Sequence, residues 1–326
     1  MIADQVVNNF QRLRAPTGSI LPIVLQAECP SILLTDAWSA LQPKIERHLH
    51  SVGGVLLRDY VVPAVDDFQR FAAAFGDPLL RYEFASTPRS AVSNGIYTST
   101  EYPAHQHIPL HNEQAYTREW PMRIWFHCVT ASPVGGETPI ADSRAIYRRM
   151  PAAIRERFAQ GLLYVRNYSS DFDLPWQEVF GSERREDVEA FCRRSGIEWR
   201  WLDDDALNTR QRCQGVERHP LSGEMVWFNQ AHLFHASNLM PEVRASLLEL
   251  VGEDLLPRNV CWADGSRIED AILEQVRAVL EEETVSFAWQ PGDVLMLDNM
   301  LVAHARTPFS GPRKVVVAMA RSYTNL

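Results

Sequence analysis

Residues 284–322 read "TVSFAWQPGDVLMLDNMLVAHARTPFSGPRKVVVAMARS". Three runs rich in apolar and β-branched residues, "TVSFAWQ", "DVLMLDN" and "RKVVVAMARS", are separated by Pro and Gly turns, which predicts strands that fold back on one another. "QPGD" (290–293) is a tight connection between two of them. Upstream, "MRIWFHCVTA" (122–131) and "GEMVWFNQ" (223–230) have the Ile, Val, Trp and Phe content of packed strands, and "VLLRDY" (55–60) that of a buried one.

Helical periods alternate with these strands. "TDAWSALQPKIERHLHSVGG" (35–54) predicts a helix stopped by Gly53 and Gly54, and "VDDFQRFAAAFG" (65–76) a second ended by Gly76. Asp142 caps a helix in "DSRAIYRRM", Pro151 starts another in "PAAIRERFAQG", and "EDVEAFCRRSG" (186–196) and "RIEDAILEQVRAVLEEE" (267–283) follow. Between 81 and 110 the chain is rich in Ser, Thr, Pro and Tyr without a sustained period, which predicts loops and short strands. No repeat or linker forces a boundary. The expectation is one domain over residues 1–326, mainly β with added helices: a mostly antiparallel sheet, a helical N-terminal region and a helical insertion at about 142–200.

Composition narrows the function. A net charge of −9 argues against a general affinity for nucleic acid or an anionic membrane, because both need concentrated Lys and Arg. "SERREDVEAFCRR" (182–194) mixes acids with Arg and suits a solvated face. Five dispersed cysteines (Cys29, Cys128, Cys192, Cys213, Cys261) form no CxxC pair and point to reduced thiols in a cytoplasmic protein. The start, "MIADQVVNNFQRLRAPTG", carries no leader pattern, and no stretch approaches the ~20 apolar residues of a membrane span.

The stretch "PLHNEQAYTREW" (109–120) places His111 and Glu113 two apart, so that on an extended strand both point to one face. His304, far along the chain, could complete two imidazoles and a carboxylate, a set that suits Fe(II) and leaves positions open. By itself the pair also fits an ordinary loop, and "HQHIPLH" offers His105 and His107 to a zinc site as well. Arg306, Arg313 and Lys314 follow His304 and could receive an anion, since Arg holds a carboxylate through two hydrogen bonds. Thr138, in the "GGETPIADSR" turn, could serve the same anion.

Taken together, "PLHNEQAYTREWP", "FHCVTASPVGGETPIADSR" (126–144) and "HARTPFSGPRKV" (304–315) resemble the taurine dioxygenase superfamily of non-haem Fe(II), 2-oxoglutarate-dependent oxygenases, and within it the branch of the syringomycin-pathway aspartyl hydroxylase. The similarity runs from about Asn94 to Tyr147 and from Glu224 to Arg321. It implies a double-stranded β-helix, or jelly-roll, core. It assigns His111, Glu113 and His304 to iron, Arg313 to the distal carboxylate of 2-oxoglutarate with Thr138 beside it, and one remaining position to O₂. The implied reaction hydroxylates an unactivated C–H bond and releases succinate and CO₂, with desaturation or epoxidation as variants of the same chemistry. Its substrate would be an amino acid or an amino-acid-derived intermediate of specialised metabolism, as a free small molecule or held on a peptidyl carrier protein.

This chain has HNE where much of the superfamily has HxD. Glutamate supplies the same charge and ligand atom from one methylene farther away. Related halogenases carry a small residue at this position to admit chloride; Glu113 would fill that place, which favours oxygen transfer.

Further contacts are expected around this site. Asn94 could bond near the cofactor or stabilise a turn; Arg306 and Arg321 could address a substrate carboxylate or form salt bridges. Phe228 and Asn229, with Gln230, His232 and His235, could form one wall of the pocket or belong to the sheet core. Trp120, Trp125, Trp176, Trp199 and Trp201 suit the core around the site. Two rival functions remain at this level: a zinc hydrolase built on the His cluster, and a non-catalytic jelly-roll binding protein.

Overall fold

A computed structural model describes residues 10–80, 90–93, 95–99, 102–169, 173–202 and 205–325. The chain begins with a strand absent from the sequence reading, β1 (Ile23–Gln26), followed by α1 (Trp38–Ser51) and β2 (Gly54–Arg58). β1 and β2 pair in parallel, with α1 as the crossover between them. α1 buries Leu41, Ile45 and Leu49 at helical spacing and gives way to Gly53 at φ 91°, a backbone conformation that costs glycine little. α2 (Val65–Ala73), β3 (Ala91–Ser93), β4 (Ile96–Thr98) and β5 (Ile108–His111) lead to the long β6 (Glu119–Thr130), then β7 (Val134–Gly135) and β8 (Ile140–Asp142).

Asp142 caps α3 (Ser143–Arg149) as expected, accepting the Arg144 N–H at 2.8 Å, and Pro151 precedes α4 (Ala152–Phe158). The expected helical insertion is in fact mixed. Between its helices α5 (Trp176–Phe180) and α6 (Arg185–Arg194) and the preceding α4 runs β9 (Leu162–Tyr168), and β10 (Glu198–Trp201) follows α6. Next come β11 (Leu207–Cys213), β12 (Val216–Arg218), β13 (Met225–Trp227), α7 (Ala231–Phe234), α8 (Pro241–Val251), β14 (Arg258–Trp262) and α9 (Asp270–Glu282). The chain closes with β15 (Val294–Asp298), β16 (Val302–Arg306), β17 (Phe309–Ser310) and β18 (Lys314–Thr324).

The principal sheet has the order β1-β2-β15-β6-β18-β4-β3, and β6 and β18 pair antiparallel along most of their length. A second sheet, β10-β11-β9-β14, carries the strands of the supposed insertion, and a small one, β5-β16-β8, holds the two histidine-bearing segments. The expected mainly β, double-stranded β-helix core is therefore corrected. The architecture is mixed α/β, and among the described residues no sheet closes into a barrel or curls into a jelly roll. A parallel crossover forms one margin of the principal sheet, and the other paired strands fall into four smaller sheets, of which β12-β13 and β17-β7 have two strands each.

"TVSFAWQ" is a second correction, since it forms only isolated bridges at Val285 and Ser286. Its alternation is real, because Val285, Phe287 and Trp289 are all buried, but burial there proceeds without a continuous ladder. Trp120, Trp125 and Trp176 are buried in the core, with Trp199 and Trp201 packed partly buried against its α5–α6 portion. No described helix is long and apolar enough to cross a membrane.

Candidate metal centre

His111 ends β5 and lies directly opposite His304 on antiparallel β16, which sets the two imidazoles 4.3 Å apart between ring centroids. β5 stops at His111, so Glu113 does not share a strand face with it; the turn that follows carries the carboxylate round to the same point. Glu113 Oε2 lies 3.8 Å from His304 Nε2, and one donor atom from each of the three residues falls within 4.8 Å of the others. Glu113 and His304 are buried. Two imidazoles and one carboxylate converging in a buried place make a donor set that fits Fe(II) and leaves coordination positions for other ligands.

The surroundings orient these donors. His111 Nδ1 bonds the Pro109 carbonyl at 2.9 Å, which directs Nε2 toward the shared point. The Phe126 ring packs 5.0 Å from that of His304. Asn299, in the turn between β15 and β16, accepts the Glu113 N–H at 2.7 Å and donates to the Glu113 carbonyl at 2.9 Å and to Pro121 at 2.8 Å. Asn112 donates to the Asn299 carbonyl at 2.6 Å and to Ser143 Oγ at 3.1 Å, while its own carbonyl accepts from Gln230 Nε2.

His105 and His107 are exposed and stand outside the donor group, which settles the choice left open by "HQHIPLH". His232 is buried behind His111. Burial drives its pKa down to about 3, and as a neutral ring it donates from Nε2 to the Leu110 carbonyl at 2.8 Å.

A cavity lined by His111 and His304 extends to Phe126, Thr138, Arg306 and Arg313. Arg313 donates from Nε to the Gly136 carbonyl at 2.8 Å and from Nη1 to Ser99 Oγ at 3.2 Å. Among the described residues no carboxylate pairs with it. Burial and the neighbouring Arg306 lower its pKa to about 10, so it keeps its charge at neutral pH. Gly136 makes room for this arrangement: a Cβ there would meet Arg313 Cδ at 2.9 Å and Phe309 Cβ at 3.1 Å, and its φ of 78° suits glycine. Thr138 Oγ1 accepts from Trp289 Nε1 at 3.0 Å and retains acceptor capacity.

Other expected contacts have different surroundings. Arg306 lines the cavity but spends its guanidinium on the carbonyls of Tyr102, Pro103 and Gln106, fixing the segment before β5. Phe228 is in the core with its ring centroid 4.8 Å from that of Trp120. Asn229 bonds the Gly215 carbonyl and the Ala231 N–H, and Arg321 is exposed on β18. None of these last three lines the cavity. Asn94 lies outside the described residues. Sequence reasoning missed Asn299, although its place beside Asp298 in "LDNM", a turn joining two strands, was a signal for a side chain that bonds backbone.

Residues 19–319 match the family described as taurine catabolism dioxygenase TauD, TfdA family. The dapdiamide synthesis protein DdaC of Enterobacter agglomerans is 40% identical over 276 residues, covering 84% of this chain and 84% of its own. A clavaminate synthase-like protein of Arabidopsis thaliana is 31% identical over 327 residues, covering 96% of this chain and 94% of its own. Among solved structures, AAD-2 in complex with Mn(II) and N-oxalylglycine shares the fold at a TM-score of 0.56 and 13% identity, covering 97% of this chain and 99% of that one.

Proposed function

From the premise that this chain belongs to the taurine catabolism dioxygenase TauD, TfdA family, and so is a non-haem Fe(II), 2-oxoglutarate-dependent oxygenase, we propose that it hydroxylates an unactivated C–H bond of an amino acid or amino-acid-derived intermediate. The observation that carries the cosubstrate half of this reading is Arg313. A charged guanidinium without a carboxylate partner among the described residues shares one cavity with the two histidines.

His111, Glu113 and His304 hold the iron. Arg313 receives the distal carboxylate of 2-oxoglutarate, and the Thr138 hydroxyl bonds the same group. Bound iron and 2-oxoglutarate, with O₂, supply the oxidising chemistry, coupling decarboxylation of the cosubstrate to succinate with transfer of one oxygen atom to the substrate. Phe126 and Ile108 form apolar walls beside the site and limit water there. Arg306 contributes through the segment it fixes, not through a free guanidinium.

The likeness of "PLHNEQAYTREWP" and "HARTPFSGPRKV" to the syringomycin-pathway aspartyl hydroxylase branch, and the 40% identity to a dapdiamide synthesis protein, support a place in specialised metabolism. The amino-acid substrate would be presented free or on a peptidyl carrier protein. Free cysteines throughout the described chain accord with a cytoplasmic enzyme. Anaerobic loading with Fe(II), then addition of 2-oxoglutarate and O₂ with free and carrier-bound aminoacyl groups, should yield succinate and one product heavier by one oxygen. Activity that persists without O₂ and 2-oxoglutarate, or no succinate with any substrate, would reject the reading in favour of a hydrolase or a binding protein.

A further inference from the structure

We propose that the cleft between α6 and the far end of the β6–β18 pair is a second binding site, for an organic carboxylate with an apolar body. It has a volume of about 450 Å³, within the range of small-molecule pockets, and shares no lining residue with the metal cavity. The inference goes beyond the oxygenase reading and does not depend on it.

The wall is rich in hydrogen-bond donors. Arg118 lies on one side and donates from Nη2 to the Asn325 carbonyl at 3.0 Å, with a longer contact of 3.5 Å from Nε to the Asn325 side chain. These bonds are to neutral groups, and among the described residues no carboxylate forms an ion pair with it. Arg194, in the last turn of α6, is exposed and has no hydrogen bond or ion pair among the described residues. Its guanidinium lies 5.5 Å from the centroid of the Phe191 ring. Complementing the helix dipole explains a cation at the end of α6, but not a second cation facing the same cleft.

The one acid of the lining, Glu119, accepts from Ser322 Oγ at 2.6 Å and keeps its charge, so the two guanidinium groups outnumber it. Gln211 donates to the Ser195 carbonyl, so part of its polarity is also spent within the wall. Leu79, Leu80, Phe191 and Ile197 supply the apolar surface. Two guanidinium groups against one carboxylate, beside an apolar floor, favour a planar anion attached to hydrocarbon over a bare inorganic ion or a neutral lipid.

Calorimetric titration of the full-length protein with octanoate tests the site, with octanamide as the uncharged isostere. Octanoate is expected to bind saturably and roughly tenfold more tightly than octanamide, equally well with or without saturating 2-oxoglutarate. Arg194→Ala and Arg118→Gln are each expected to weaken octanoate roughly tenfold while leaving octanamide unchanged. Arg194 is exposed, so its removal leaves folding intact and keeps the comparison valid if Arg118→Gln is unstable. Absence of saturable binding up to the order of 10 mM, equal binding of acid and amide, indifference to Arg194→Ala, or displacement by 2-oxoglutarate would each overturn the assignment.

Discussion

The Asn299 side chain grips both sides of Glu113, accepting its N–H at 2.7 Å and donating to its carbonyl at 2.9 Å. Glu113 follows the end of β5, so its position does not come from the ladder that fixes His111 against His304. The amide of Asn299 substitutes for that ladder, and because Asn299 sits in the turn leading into β16, it ties the carboxylate to the strand that presents His304. A third bond, to Pro121, extends the connection to β6.

Replacing Asn299 by Ala should therefore damage metal binding without touching a ligand. Three buried hydrogen bonds are lost, at a cost of about 3 kcal/mol in stability, and Fe(II) affinity is expected to fall roughly 10- to 100-fold. Asn299→Asp keeps the acceptor for the Glu113 N–H but sets a buried carboxylate oxygen against the Glu113 and Pro121 carbonyls, so it should not recover the affinity lost in Asn299→Ala. Anaerobic Fe(II) titration alongside thermal melts separates the two effects; an unaltered iron affinity in a destabilised Ala variant would reduce Asn299 to a folding role.

Arg313→Ala should raise the 2-oxoglutarate concentration needed for half-maximal turnover by roughly 100-fold while Fe(II) binding stays as in the parent. Gly136→Ala should reproduce part of this defect. Its new Cβ would press on Arg313 Cδ and Phe309, and the backbone at φ 78° resists any side chain. Steady-state kinetics with 2-oxoglutarate as the varied substrate checks both variants, and an unchanged requirement in Arg313→Ala would remove the cosubstrate role from that residue.

The sequence made some of this legible and left some hidden, for reasons visible in particular residues. α1, α9, β15 and β18 follow directly from hydrophobic period, and Asp142 from the preference of helix N-termini for a side-chain acceptor. β1 and β9 were missed because "IVLQ" and "LLYVRNY" are short runs whose periods do not separate strand from buried helix. "TVSFAWQ" misled because alternation reports burial, and only long-range pairing turns burial into a strand. The jelly-roll expectation came from resemblance, whereas the mixed α/β sheet order depends on which distant strands meet. The three donor residues became legible through the resemblance, since the spacing of His111 and Glu113 fitted a loop as well and Glu113 in fact lies beyond the strand, whereas Asn299 acts through backbone atoms and leaves almost no trace in a motif.

Glu113 should also decide the reaction outcome. The resemblance to halogenases that carry a small residue at this position implies that the Glu113 carboxylate excludes chloride, so the wild-type enzyme in chloride buffer is expected to give oxygenated product with no chlorine. Mass spectrometry resolves the two directly through the chlorine isotope pattern. A chlorinated product from the wild type would falsify the role given to Glu113, whereas Glu113→Ala tests it from the other side and should lose most of the oxygen transfer.

Acid should destabilise the fold through His235. Burial lowers its pKa from 6.5 to about 4, against the attraction of Asp270, and the Ser237 N–H donates to its Nδ1 at 3.1 Å, a bond that requires that nitrogen to be unprotonated. Because the folded pKa lies below the unfolded value, the unfolded chain binds a proton that the folded one refuses between those two values. The stability is thus fully present above pH 6.5 and declines as pH falls toward 4, by about 3 kcal/mol for this group at the lower limit. His235→Asn preserves an acceptor for Ser237 but cannot titrate, so its urea-unfolding free energy should fall less steeply than that of the wild type across the same window. Equal slopes in the two proteins would show that His235 does not contribute to the acid sensitivity.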